Sequence, residues 1–322
     1  MAKQWQICCV LGLWLAWNVE AAAQTYPVKP IRLIVATSPG GGVDTTARVL
    51  AKTLSGVIGQ SVVVENRAGA GGVPGTETLA KSAPDGYTLQ LASSSHVVNP
   101  SLYQRLPYDS VKDFTAISLV SRNPNVLVVH PSVPAKSVKE LIALAKANPG
   151  KLNFSSSGSG QASHLAGERF KLMAGVNIVH VPYKGTGPAV VGLVGGEIDL
   201  QFATLPSVLT HIRSGRLRAL GIATTKRSDV TPELPTVAEA GVPGFEAGAW
   251  YGVLGPARLS GEIVAQLHRA IVQSLNTPDV KDTLQRDGSE PVGSRPEEFA
   301  AFIASEISKW AVVVKTAGIK AE

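Results

Sequence analysis

The sequence predicts an α/β protein of two lobes with a ligand cleft between them, and three observations carry that expectation. Short apolar runs alternate with longer amphipathic ones, and strand-then-helix repetition at this spacing builds mostly parallel sheets. The chain has 322 residues, past the ~250 at which a single core usually divides. Glycine- or serine-rich turns follow several of the strand runs, and open α/β sheets bind ligands at that rim.

The first run is not part of the fold. Lys3 precedes an apolar stretch over 7–17, and Ala21-Ala22-Ala23 supplies small residues at the −3 and −1 positions of a cleavage site. A secretory signal over 1–23 is therefore expected, too short for a membrane anchor. Both cysteines, Cys8 and Cys9, sit at the start of that stretch, where no lipoprotein cysteine would lie. The mature chain is left without disulfides, thiolate metal sites or a cysteine nucleophile.

Strands are then expected over 31–36, 61–65, 87–92, 115–120, 126–130, 152–156, 178–181, 198–202, 217–223 and 250–254. Helices are expected over 45–55, 75–81, 138–147, 161–173, 188–194, 207–213, 261–276 and 296–317. Polar or proline-rich crossings fall near 121–124 and between 225 and 248. Two such crossings would make one lobe of 24–122 plus 248–322 and a second of 123–247. A cleft between lobes is a natural place for a small ligand.

Charge excludes little by itself. Lys and Arg number 30 against 24 Asp and Glu, a net +6. The cations are dispersed, without a run or an aromatic-interleaved stripe, and with export expected, nucleic acid is not an expected partner.

The strand 31–36 ends in Pro39-Gly40-Gly41-Gly42 and a helix opens at once, an arrangement that aims backbone N–H groups at an anion. Similar turns occur at Gly69-Ala70-Gly71-Gly72, Ser93-Ser94-Ser95, 156–160 and 182–187. None spells a Walker loop, and both near-misses to a dinucleotide fingerprint lack the third glycine, ending in Thr45 and Pro74. Ser159 has Ser157 where a hydrolase elbow needs glycine. His164 and Glu168 share a helix face but do not spell a zinc protease, so no metal is expected. Serine and glycine instead suit binding, since hydroxyls and unobstructed N–H groups hold a carboxylate that must later be released. Such turns also occur as plain turn chemistry.

Long ordered motifs then carry a resemblance. "YPVKPIRLIVATSPGGGVDTTARVLA", "VVVENRAGAGGVPGTETLAKSAPDGYTL", "NPSLYQRLPYDSVKDF", "SHLAGERFKLMAGVNIVHVPYKGTGPAV" and "LPTVAEAGVPGFEAGAWYGVLGPA" resemble the Bug family. These are the TctC-type extracytoplasmic solute-binding receptors of tripartite tricarboxylate transporters. The resemblance runs from about Tyr26 to the C-terminus. It implies a type II-like periplasmic-binding-protein fold and a pair of βα loops, one per lobe, that grip a carboxylate. The first loop maps onto Ser38 to Thr45, with Ser38, Gly41, Gly42, Asp44 and Thr45 as site residues. The second maps onto Ser156 to His164, with Ser157, Gly158, Ser159 and His164 as site residues. Gly71, Gly72, Tyr183, Lys184, Gly185 and Asp199 match further motifs around the cleft, and Ser93, Ser94 and Thr204 are added as rim residues.

Two departures from the family pattern fall near the pocket. Thr37-Ser38 stands where a bulky residue is usual, which suggests a wider or more polar cleft. Gln201-Phe202-Ala203-Thr204 lacks the common acidic residue or Asn, which argues against an amino-acid ligand. Lys184, the one cation within these loops, reaches a distal carboxylate in one reading and stays solvated in the other. The expectation is a periplasmic receptor for a small carboxylated solute, monomeric, without cofactor or catalysis, delivering to membrane transport subunits. An exported hydrolase or lyase acting on carboxylates, or a module presenting ligand to a sensor kinase, is the alternative.

Overall fold

Residues 26–286 and 288–319 are described by the computed structural model. The expected leader over 1–23, with Cys8 and Cys9, lies outside the described residues. In chain order the first elements are β1 (Ile31–Val35), α1 (Gly42–Ile58), β2 (Val62–Asn66), α2 (Val73–Ala80), β3 (Thr88–Ala92) and α3 (Ser95–Leu102). Then come β4 (Phe114–Val129), α4 (Val138–Ala147), β5 (Asn153–Ser156), α5 (Ala162–Ala174), β6 (Val179–Pro182), α6 (Thr186–Val194), β7 (Leu200–Thr204), α7 (Leu205–Arg213) and β8 (Arg218–Ile222). The chain finishes with β9 (Gly248–Pro256), α8 (Gly261–Leu275), α9 (Pro278–Arg286), β10 (Glu290–Pro291) and α10 (Pro296–Ala317).

Each lobe is a sheet with helices on both faces, as parallel strands apolar on both sides require. In the first sheet, β1 pairs in parallel with β2 and β3, and β9 runs antiparallel between β3 and β4. The order is β2-β1-β3-β9-β4. In the second, β5 pairs in parallel with β6 and β7, and β4 runs antiparallel to both β7 and β8. That order is β6-β5-β7-β4-β8, so one topology occurs twice although the sequence shows no repeat.

The sheets are thus mixed, where mostly parallel ones were expected. The cause is the crossing itself: β4 and β9 pass between the sheets in opposite directions and pair along the way. The two strands expected at 115–120 and 126–130 are one strand of 16 residues. It pairs with β9 as far as Pro124 and with β7 from Asn125. Of the polar residues that read as a linker, Ser121 and Asn123 are buried in it, with Asn123 donating to Ser121 at 3.1 Å, while Arg122 is exposed.

Apolar residues alternate between faces as the strand period of two demands. Leu33 and Val35 join α1 (Leu50, Leu54) and α8 (Leu267, Ile271) on one face, while Ile34 joins Leu79, Val98, Phe299 and Ile303 on the other. Leu200 and Phe202 pack with Phe154 and Phe170, and Ala203 packs with Val190, Leu193 and Val208. The carboxyl ends of β1, β3, β5, β6 and β7 all lead into helices, and these ends meet at one cavity.

Candidate functional site

Five helices open at this cavity, and none has a side-chain cap. The N-cap residues are Gly41 for α1, Ser94 for α3, Gln161 for α5, Gly185 for α6 and Thr204 for α7, and all five line it. Away from the cavity, by contrast, Ser137 caps α4 and Ser260 caps α8 through their hydroxyls. A helix start leaves N–H groups without intrahelical partners and carries roughly half a positive charge. Several such starts aimed at one space form an anion site.

The cavity holds about 50 Å³, and among the described residues no Asp, Glu, Lys, Arg or His lines it. Hydroxyls, amides and backbone do the work. The expected Ser38, Gly41, Gly42, Ser93, Ser94, Ser157, Gly185 and Thr204 are brought together here. Asn125 and Tyr251, which also line it, were not singled out from the sequence; Thr37 and Gln201 were noted only as departures near the pocket, and Gln161, Ser163 and Thr186 only as members of the second loop and the 182–187 turn. Burial raises the Tyr251 phenol pKa, so its hydroxyl stays a neutral donor.

The remaining expected residues lie around the cavity without lining it. Asp44 is buried and holds the glycine loop: its carboxylate accepts from Gly40 N–H at 3.0 Å, Arg48 Nε at 3.0 Å and Asn66 Nδ2 at 2.9 Å. Burial works against its ionisation, but those hydrogen bonds prevail and its pKa lies below the usual carboxylate value. Thr45 is exposed on α1, its N–H spent on Gly41 C=O at 3.0 Å. Gly71 and Gly72 pack against α3 and Ala36, where Asn99 donates to the Gly71 carbonyl at 3.1 Å. Gly158 and Ser159 shape the second loop behind Ser157, whose N–H donates to Ser163 Oγ at 3.0 Å. Tyr183 turns away to Glu197, 3.4 Å from its hydroxyl.

Asp199 is placed furthest from the cavity. It precedes β7, at the end opposite Thr204, and its carboxylate accepts from Asn153 N–H at 2.8 Å. Five residues at the strand rise separate the two ends by about 17 Å. Its role is to fix β5 against β7.

His164 supports the second loop from below. Its Nδ1 accepts from Gly160 N–H at 3.1 Å, which places the ring proton on Nε2, 4.0 Å from Glu168. The ring stacks on His180 at 3.9 Å, and His180 Nε2 lies 2.6 Å from Ser156 Oγ. Burial lowers the His164 pKa to about 3 and that of His180 to about 4, and His96, sealed under Phe114, is likewise held at about 4. These rings stay neutral in the native state, whereas unfolded histidine takes a proton near pH 6.5. Below that pH the unfolded state binds more protons, so stability falls from about pH 6.5 towards pH 4. The urea midpoint is expected to drop over that window and to hold between pH 7 and 8. A midpoint unchanged down to pH 4.5 would contradict the neutral, buried placement.

The lobes touch at the mouth. Ser38 Oγ donates to the Lys184 carbonyl at 2.7 Å. Ser38 therefore does not widen the cleft as expected; a Cβ on Gly185 would already lie 3.1 Å from Ser38 Cβ, so a bulky residue at 38 would hold the loops apart. Lys184 offers its backbone there, while its side chain is exposed. Lys184→Met is expected to weaken binding by less than about threefold at physiological salt, as for a solvated rim charge. Titration calorimetry decides, and a much larger loss would place the ammonium in the closed cleft.

Comparison with known proteins follows the same line. The family described as the tripartite tricarboxylate transporter family receptor, TctC, matches residues 46–319. Protein BugT of Bordetella pertussis (strain Tohama I) is 44% identical over 320 residues, covering 98% of each chain. Among solved structures, R. palustris Rpa4515 with adipate superposes with a TM-score of 0.88 at 37% identity, covering 92% of this chain and 99% of that one. MatC from Rhodopseudomonas palustris with bound malate gives 0.83 at 32% identity, covering 90% and 100%.

Proposed function

The chain belongs to the TctC family of tripartite tricarboxylate transporter receptors, and from that premise we propose that it captures a small carboxylated solute in the cavity between its lobes. It is a solute-binding receptor and not an enzyme. The observation that carries the carboxylate reading is the convergence of five uncapped helix starts on a lining without charged side chains. Neutral donors offset one negative charge and release it readily, which suits capture and delivery. The adipate and malate bound by two relatives support a carboxylate ligand here.

The lobes are assigned as 24–122 plus 248–322 and 123–247. The switch of β4 from β9 to β7 after Pro124, and the start of β9 at Gly248, support that division. The receptor works as a monomer in the periplasm and passes its ligand to membrane subunits of the transporter. Cleavage after Ala23 accompanies export, and N-terminal sequencing of the exported protein is expected to read from Gln24 or a residue or two beside it. An intact or acylated leader would overturn that assignment.

Mass spectrometry of ligand released from purified, denatured protein tests the reading. A small carboxylate recovered chemically unchanged after incubation with the native protein is the expected result. Product formation, or no binding of any carboxylate by calorimetry, would defeat it.

A further inference from the structure

Two primary amides stand in the cavity wall with nothing to bond to. Asn125 and Gln201 are both 0% exposed, and neither the nitrogen nor the oxygen of either side chain has a hydrogen-bond partner among the described residues. Thr37 Oγ1, also on the lining, is buried and unpaired as well. Asn125 sits opposite Thr204 where β4 enters the second sheet, and Gln201 lies three residues earlier in β7, opposite Val128. A buried amide left unpaired is destabilising, and buried polar groups are almost always satisfied. That two of them persist beside five helix starts without a side-chain cap marks the wall as built for an occupant.

The chemistry of the wall restricts that occupant. Each amide offers both a donor and an acceptor. A second carboxylate would satisfy the two NH₂ groups but leave both carbonyl oxygens unpaired. It would also be buried without a cation, since none lines the cavity. An ammonium fares no better: the nearby carboxylate of Asp44 is already taken by Arg48, Asn66 and Gly40 N–H.

Resting on the carboxylate-capture reading above, we infer that Asn125 and Gln201, which reach the cavity from opposite faces of the second sheet, make its wall a neutral donor–acceptor lining. It selects a monocarboxylate whose second polar group is uncharged, such as a carboxamide or hydroxyl, over a dicarboxylate or an amino acid.

The test compares ligands of matched length that differ only at the far end. Succinamate, glutaramate and adipamate are titrated against succinate, glutarate and adipate, and against the corresponding ω-amino acids. Within the length that fits, the ω-amide is expected to bind at least about tenfold tighter than the dicarboxylate, as one or two unmatched buried polar groups imply. In the isosteric variants Asn125→Leu and Gln201→Met that preference is expected to collapse to within about threefold, read against butyrate as the acid without a far polar group. The same variants are expected to melt no lower than the parent without ligand, because they remove unpaired polar groups. Gln201→Glu is expected to turn the ranking toward the ω-amino acid. A dicarboxylate binding as well as its ω-amide overturns the inference and leaves carboxylate capture standing. So does a lowered melting point in the apolar variants with the ligand ranking unchanged, which would make the amides structural. No binding by any of these acids, butyrate included, would instead defeat the capture reading itself.

Discussion

Gly42→Val is expected to abolish ligand binding, by at least about 100-fold, while the protein still folds. A Cβ at Gly42 would lie 2.5 Å from the Tyr251 hydroxyl and 3.5 Å from Thr204 Oγ1, at the point where α1 opens onto the cavity. Tyr251 is buried and cannot swing clear, so valine either displaces it or fills the space a carboxylate would take. Hydrogen bonds to a charged group contribute roughly 1.5–3 kcal/mol each, and losing two exceeds a hundredfold. Gly41 is less demanding, because its Cβ would meet Thr186 Oγ1 at an ordinary 3.5 Å. Gly187→Ala, on the same rim with open space around it, is the control and should change affinity by less than about threefold. Calorimetry on Gly42→Val, Gly41→Val and Gly187→Ala settles the matter. Affinity within threefold of the parent for Gly42→Val would move the carboxylate elsewhere.

The largest expected effect on stability is Phe202→Ala, a loss of about 3–5 kcal/mol. Phe202 is fully buried in β7, with ring centroids 5.5 Å from Phe170 and 5.4 Å from Phe245. The cavity left behind would be walled by aromatic rings held on α5 and on the 224–247 segment, which cannot close over it together. Its strand neighbours Gln201 and Ala203 line the ligand cavity, so affinity should fall as well. Urea unfolding measures the first effect. A change under about 1.5 kcal/mol would mean the second sheet repacks freely, against the three-ring geometry.

The strand-glycine-helix junctions were legible in the sequence because the chemistry of a turn is local: Gly41, Gly42 and Ser157 stand in turns that their spelling marks. The segment 121–124 read as a crossing, and it is strand. Ser121, Asn123 and Pro124 have the composition of a linker, and only pairing with β9 and with each other makes them sheet. Helix α3 was missed for a related reason. Three serines and Pro100 read as loop, and the helix is held by Val97, Val98 and Leu102 docking near Trp250 and Phe299. Asn125 and Gln201 could not be found at all from spacing. Their significance lies in what they fail to bond, which only a folded chain reveals.

The place of β9 in the first sheet has a consequence for assembly. It is the ninth strand in the chain, yet it lies between β3 and β4. A chain growing from its amino end delivers β1, β2, β3 and all of β4 well before residue 248. Until β9 arrives, β3 and the first half of β4 face a gap with their hydrogen-bonding edges bare. Bare edges of that kind recruit strands from other molecules. The second sheet has no such gap, since β4 through β8 hold every strand it uses between residues 125 and 222. A fragment ending before residue 248 can therefore complete its inner sheet but never its outer one, and the segment that closes the outer sheet is also the one that brings Tyr251 to the ligand.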